Sequence, residues 1–549
     1  MVQHSRAQTL FAPGIALGAV AFLANFAAAQ IPRYAILTRP DPPPRETLDR
    51  LNLRMAWRTF VPIDGERDGL ASVQVLGREV LVQTRSGLII LLDAETGETR
   101  WRSRAGLPYR LVGAPAANSH SVVFVTNAFM YGLDRNTGAL VWQLRLPGGL
   151  SGSPAVDEES VFFGTVAGRF YNYFLPRPEL VALGTADERR RAEINELLRH
   201  ERKSTATVTR FTTVGAASEE LPTGPQPTLV WETVIAPRLE LTPLLTRETV
   251  FIAGADGTTI GLGKALRGVG DVSETFRFQA DGAISVQPGQ FQETLYLASQ
   301  DGNLHAINLR NGRVIWRYTT GQPFLRRPAV LEKDVYAVTA AQGMFRIDRT
   351  GGQAEWRVPR GQRVIDSNPD ADRFLAANPK FVYSADRIGR LQVLDRRLGH
   401  TLSTFDTRDF VFPVANEQTD RVYLAANNGL IVCLHDKEYT KPFRHRKLEE
   451  DLTSELRKKL NQPITDPGSK PTSLNTLLEN FQAKYGLRIQ ISERAFEEAG
   501  LDLPGPRLVA VPKSENRPLG DLLQAILGQV SARFEVVEDT ILILPRPRK

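Results

Sequence analysis

A nine-residue unit constrains this chain more than any other feature: Asp or Asn, three residues, Gly, three residues, Trp. It occurs as Asp93–Gly97–Trp101, Asp134–Gly138–Trp142, Asn308–Gly312–Trp316 and Asp348–Gly352–Trp356. A fifth copy, Asp395–Gly399, carries Ser403 where the Trp would stand. An Asx side chain can accept hydrogen bonds from the turn amides just ahead of it, and Gly supplies the positive φ of a tight hairpin. The Trp then falls on the outgoing strand, where its large apolar area can be buried against the next unit. Units of this kind at a period near forty residues predict one four-stranded sheet per period, which is a β-propeller.

The tryptophans count the units. Trp57, Trp101, Trp142, Trp231, Trp316 and Trp356 are all the chain has, and their gaps are 44, 41, 89, 85 and 40 residues. The 85-residue gap divides at Phe276, where Phe276-Arg-Phe278 is similar to Trp316-Arg-Tyr318. The 89-residue gap is one blade with an insertion at 176–227, its third strand at Gly168–Tyr173 and its fourth around Trp231. Within the insertion, Ala186–Arg202 is charged and helix-forming, a solvated helix or a docking arm. A last unit through Leu430–Leu434 lacks an outgoing strand, and Trp57 has no Asp–Gly turn before it. The strand around Trp57 is therefore expected to lie beside Cys433 and close the ring, which removes an exposed sheet edge. The expected fold is mainly β, an eight-bladed propeller with seven blades as the alternative count, followed by a small α+β domain.

The N-terminus reads as an export signal. Arg6 precedes an apolar run from Leu10 that ends in Ala27-Ala28-Ala29, so residues 1–29 are expected to be removed; an uncleaved anchor is the alternative. Pro40, Pro42, Pro43 and Pro44 make residues 30–50 an extended lead-in. The formal charge is +7, and removing residues 1–29, with one Arg and no acid, leaves +6. With no groove-reading motif, that charge reads as a solvated basic surface and argues against nucleic acid as a partner. The single cysteine, Cys433, excludes an internal disulfide and lies in an apolar run, where a buried thiol is expected.

Residues 51–439 are assigned to the propeller and 440–470 to a charged helical linker. Residues 471–549 are assigned to a two-layer α+β domain. In that domain Leu474, Leu477, Leu478 and Phe481 stand at helical spacing, and Leu487–Ile491 alternates as a strand. Pro518 opens a second helix, and Arg533–Val537 with Thr540–Leu544 forms a closing hairpin.

The repeat resembles that of the PQQ-like, quinoprotein-type β-propeller family over residues 51–439. That family includes quinoprotein dehydrogenases and non-catalytic propellers, among them the propeller subunit of the outer-membrane β-barrel assembly machine. The C-terminal stretch resembles the short N-terminal (STN) domain of secretins and TonB-dependent receptors, on Leu474–Ile491, Val509–Pro512, Arg517–Leu527 and Phe534–Ile543. That resemblance implies a periplasmic docking module.

A quinoprotein dehydrogenase needs a quinone pocket, a Ca²⁺ held by oxygen ligands and a general base. This chain lacks the adjacent cysteine pair common in such enzymes. Its repeat Asp residues are accounted for by turns, and its tryptophans by blade packing. The seven histidines show no metal-ligand spacing. Gly261-Leu-Gly-Lys264 lacks the earlier Gly and the Ser or Thr of a phosphate loop. Gly149–Ser153 misses the nucleophile-elbow pattern by its last residue. The sequence thus predicts a non-catalytic scaffold of the bacterial envelope, exported to the periplasm, with no cofactor and with other envelope proteins as partners. Any membrane association would run through the N-terminal segment or a partner. The alternatives are a PQQ- and Ca²⁺-dependent dehydrogenase and a glycan-binding propeller.

Overall fold

Between the turns, β-branched and aliphatic runs pair with their neighbours in sequence. The computed structural model describes residues 40–64, 67–176, 226–235, 239–246, 248–264, 272–360, 363–446, 456–468, 470–492, 496, 501–537 and 540–546. The expected signal at 1–29 and the helix expected at Ala186–Arg202 lie outside them. Among these residues there are eight four-stranded antiparallel sheets. Seven are continuous in sequence order, at 70–104, 116–145, 155–234, 244–279, 289–319, 329–368 and 373–405. They are called here blades 1 to 7, each with strands A to D. The third contains the insertion between its strands C and D.

The eighth blade takes strands A to C from 412–436 and strand D from Leu53–Phe60, at the other end of the chain. In that pairing Trp57 stands opposite Cys433 and Phe60 opposite Leu430, as expected for ring closure. Pro44 leads into a short helix, α1 (Arg45–Arg50), where the sequence suggested only extended lead-in. Its Leu48, with Leu51 just beyond, is buried between blades 7 and 8. Apolar residues three apart suit a helical turn, and this one fills a gap in the wall.

Each neighbouring pair of blades shares a buried cluster. Leu81, Trp101 and Phe124 join blades 1 and 2, and Val123, Trp142 and Phe163 join 2 and 3. Phe162, Trp231 and Ile260 join 3 and 4, and Phe276 and Leu297 join 4 and 5. Trp316 and Phe345 join 5 and 6, and Trp356 and Phe374 join 6 and 7. Leu391 and Val432 join 7 and 8; Trp57, Cys433 and Val82 join 8 to 1. The cores form a cycle. A-strands of neighbouring blades are tied at the axis by polar side chains, such as Gln74 Nε2 to the Pro115 carbonyl at 3.0 Å and Gln287 Nε2 to that of Thr242 at 2.8 Å.

The ring has two faces. A–B and C–D turns share one, where Ala94 N donates to the Arg78 carbonyl and Arg349 N to that of Lys333. B–C turns and the D-to-A crossings share the other, where Tyr109 N donates to the Arg85 carbonyl and Val166 N to that of Gly149. These are the turn face and the loop face below.

Residues 456–546 contain a second core, with Leu460, Phe481, Leu523, Ile526 and Ile541 among its members. Ser473 caps α2 (Leu474–Tyr485) by accepting from Thr476 N, and Gly486 ends it at φ 59°. After Pro518 comes α3 (Leu519–Gly528). The helices accompany a three-stranded sheet in which Thr540–Pro545 runs between Ile489–Ile491 and Ala532–Val537. The linker expected over 440–470 ends earlier than its charge suggests. Leu456 and Leu460, four apart on one helical face, are buried in this core, and Pro463–Asp466 pairs with Ser514–Pro518.

Candidate functional site

The repeat residues form the seams between blades. At each turn the Asx oxygen accepts from amides ahead of it. Asp93 accepts from Glu95 N and Thr96 N at 2.9 and 3.0 Å, Asp134 from Asn136 N and Thr137 N at 3.0 and 2.8 Å, and Asn308 from Arg310 N at 2.9 Å. Asp348 accepts from Gly351 N, and Asp395 from Leu398 N at 2.7 Å. Gly97, Gly138, Gly312, Gly352 and Gly399 all have φ between 70° and 78°. Glycine is needed there for a second reason. A Cβ on Gly97 would fall 2.5 Å from the Trp57 indole, one on Gly138 2.5 Å from Trp101, and one on Gly352 2.6 Å from Trp316. On Gly399 it would fall 2.7 Å from Trp356. Each of these four Trp therefore lies flush on the turn of the next blade.

Its indole N–H is satisfied there too. Trp57 Nε1 donates to the Ala94 carbonyl at 3.0 Å, Trp101 to Arg135 at 2.6 Å and Trp231 to Lys264 at 3.0 Å. Trp316 donates to Arg349 at 2.9 Å and Trp356 to Arg396 at 2.8 Å. The unit thus spans two blades: the Asx–Gly turn of one receives the Trp of the one before.

The exceptions follow from this geometry. Blade 3 has the insertion in place of its C–D turn, so Trp142 has no glycine turn to meet. It lies instead over Gly132 of its own blade, where a Cβ would be 2.0 Å from the ring. Blade 8 has no C–D turn at all, because its strand D comes from the N-terminus, and the preceding blade carries Ser403 rather than Trp. At blade 4 Phe276 replaces Trp, and a Cβ on Gly312 would stand 3.5 Å away, in ordinary contact. In blade 6 Trp356 lies outside the ladder. A hairpin of Val358–Arg360 with Arg363–Ile365 intervenes before strand D resumes at Ser367–Asn368. Pro359, lacking an N–H, cannot extend the ladder there.

These groups hold blades together and offer no reacting set. Cys433 is fully buried, and burial pushes its thiol up to about 12. Among the described residues no three His, Cys, Asp or Glu side chains converge to hold a metal. Each of the six indoles is buried, so no tryptophan offers an open plane on which a quinone could stack.

The two faces differ. The loop face carries exposed apolar side chains: Phe60, Leu107, Tyr109, Val166, Val234, Leu325 and Ile388 are 42–76% exposed. Tyr109 holds φ 58°, a strained value for a non-glycine residue. At the closing seam a groove of about 380 Å³ is lined by Phe60, Val61, Pro62, Ile90, Thr99, Trp101 and Arg102. The turn face is crossed by the chain itself: residues 437–446 leave strand C of blade 8 and run toward the axis, and Arg446 reaches the A-strands of blades 5 and 6. On that same face Gln490 Nε2 of the C-terminal module lies 3.4 Å from Glu248 Oε1 of blade 4. None of these surface features has a motif that sequence alone could flag.

The sheets and seams define a β-propeller. A family model described as outer membrane protein assembly factor BamB matches residues 85–174 and 272–436, stopping at the insertion and resuming at the outer strand of blade 4. Over those residues the repeats are similar to the repeats of that family. Among solved structures, BamB from Moraxella catarrhalis is similar at 16% identity, covering 72% of this chain and 99% of that one, with a TM-score of 0.46. The computationally designed protein Ika8 is similar at 13% identity, covering 69% and 99%, also at 0.46. No curated protein sequence matches the chain. No helix among the described residues is long and apolar enough to cross a membrane.

Proposed function

We propose that this chain is a non-catalytic interaction scaffold of the bacterial envelope, exported by its N-terminal segment, with the loop face as its partner surface. One observation carries this: apolar side chains are displayed on the loop face, while the centre of the turn face is filled by the chain's own residues 437–446. Apolar side chains held out by a rigid ring are suited to fill pockets on a partner, and an aromatic such as Tyr109 is a typical anchor. The matching family model, described as an assembly factor, supports the same class of role. The C-terminal module would act as an STN-like second contact, and two linked contacts gain from effective concentration.

The test is crosslinking capture from envelope fractions with three forms of the full chain: unaltered, Tyr109→Glu with Ile388→Glu, and Leu402→Glu as a control on the outer strand of blade 7. Partners lost from the loop-face variant and kept by the control support the proposal. Identical partner sets from all three would refute it. A chain of this kind binds no quinone, so added PQQ and Ca²⁺ should give no dye-linked oxidation of alcohols or sugars.

A further inference from the structure

Past Asp436 the chain stays on the turn face as a strap. Arg421, almost wholly buried, donates from Nη1 to the Tyr439 carbonyl at 3.0 Å and from Nη2 to that of Thr440 at 2.7 Å. Phe443 N donates to Asp420 Oδ1 at 3.0 Å, and His445 N to the Gln418 carbonyl at 2.9 Å. In the strap Arg446 places its Nη2 3.0 Å from the Gln290 carbonyl, 3.1 Å from the Val330 carbonyl and 3.0 Å from Glu417 Oε2. Its guanidinium carbon is 5.1 Å from the centre of the Phe291 ring. Two carbonyls, a carboxylate and an aromatic face are what a planar cation requires. They come from blades 5, 6 and 8, so the surround is built by the ring and not by the strap. Arg446 Nε, also buried, has no partner among the described residues.

We propose that the axial mouth of the turn face is a guanidinium-binding site, formed by Glu417, the Gln290 and Val330 carbonyls and Phe291, which the chain fills with its own Arg446. The strap is then an internal ligand that can release while the ring stays folded. This inference does not depend on the loop-face proposal.

The test uses the full chain, amide hydrogen exchange and chemical rescue. Arg446→Ala should speed exchange at the Phe443 and His445 amides about tenfold, the scale of one lost charge-assisted hydrogen bond. Exchange across 430–434 should not change. Ethylguanidinium at a low, non-denaturing concentration should restore protection in that variant, and ethylammonium should not. Adding Glu417→Gln to Arg446→Ala should abolish the rescue. Unchanged exchange in Arg446→Ala, equal rescue by ethylammonium, or rescue that survives Glu417→Gln would each overturn the assignment. So would parallel acceleration at 430–434, which would make the strap an inseparable part of blade 8.

Discussion

Gly97→Ala isolates what the repeat glycine does. Its φ of 74° gives any side chain a left-handed penalty of about 1–2 kcal/mol. The added methyl would also stand 2.5 Å from the Trp57 ring, and overpacking of that kind costs about 1–3 kcal/mol. The expected loss is therefore about 2–5 kcal/mol. The chain supplies its own controls. Gly312 has φ 70°, but its new methyl would meet Phe276 at 3.5 Å, and Gly321, at φ 66°, has nothing within 4 Å. Alanine at either should cost only the backbone term, about 1–2 kcal/mol. The entropy that alanine removes from the unfolded chain is common to all three and cancels. Urea unfolding followed by tryptophan fluorescence reads the ring selectively, since all six indoles lie between residues 57 and 356. If Gly97→Ala and Gly321→Ala lose equal stability, the glycine serves the turn alone and the seam account is wrong.

Trp101→Phe should cost about 1–3 kcal/mol in the same assay, because the Arg135 carbonyl loses its buried donor. Cys433, with its thiol pushed up to about 12 by burial, should resist iodoacetamide in the folded chain at pH 8 and react fully in urea. Two buried groups, Asp420 beside the strap and His445 within it, should set opposing pH dependences. Burial pushes Asp420 up to about 6 against the pull of Arg421, so the folded state holds the proton more tightly, and this contribution to stability falls as pH rises through about 4 to 6. Burial pushes His445 down to about 4, so its contribution rises with pH from about 4 to 6.5. Relative to the unaltered chain, Asp420→Asn should tilt the stability profile upward with pH over that range and His445→Gln downward; equal slopes in urea titrations would contradict both.

Much of the ring was legible because its defining contacts recur at fixed spacing. The Asx–Gly–Trp offsets placed the turns, the strand after each turn and the partner of Cys433. The offsets also point each Trp at the next unit; spacing within a copy does not show that the contact falls on that unit's Asx–Gly turn, or that Trp142 lies over Gly132 of its own blade instead. With that known, Ser403 and Gly132 cease to be irregular: one blade faces a neighbour without a turn, and the other turns its indole inward. The lysines around Leu456 and Leu460 give that stretch the look of a linker, and only the packed core shows which face the leucines serve. The loop face and the Arg446 cage join residues far apart in sequence, such as Gln290, Val330 and Glu417. No local pattern marks such a site.

Ring closure by the N-terminal strand is tested most directly by a disulfide across the closing pair. Arg54 and His435 stand opposite each other in register, within the reach a disulfide requires. In a Cys433→Ala background, the double substitution Arg54→Cys and His435→Cys should oxidise readily. Fragments from cleavage within the insertion should then stay joined on a non-reducing gel and separate on reduction. Free thiols under the same oxidant, or fragments that part without reductant, would place Leu53–Phe60 elsewhere and contradict the closed ring.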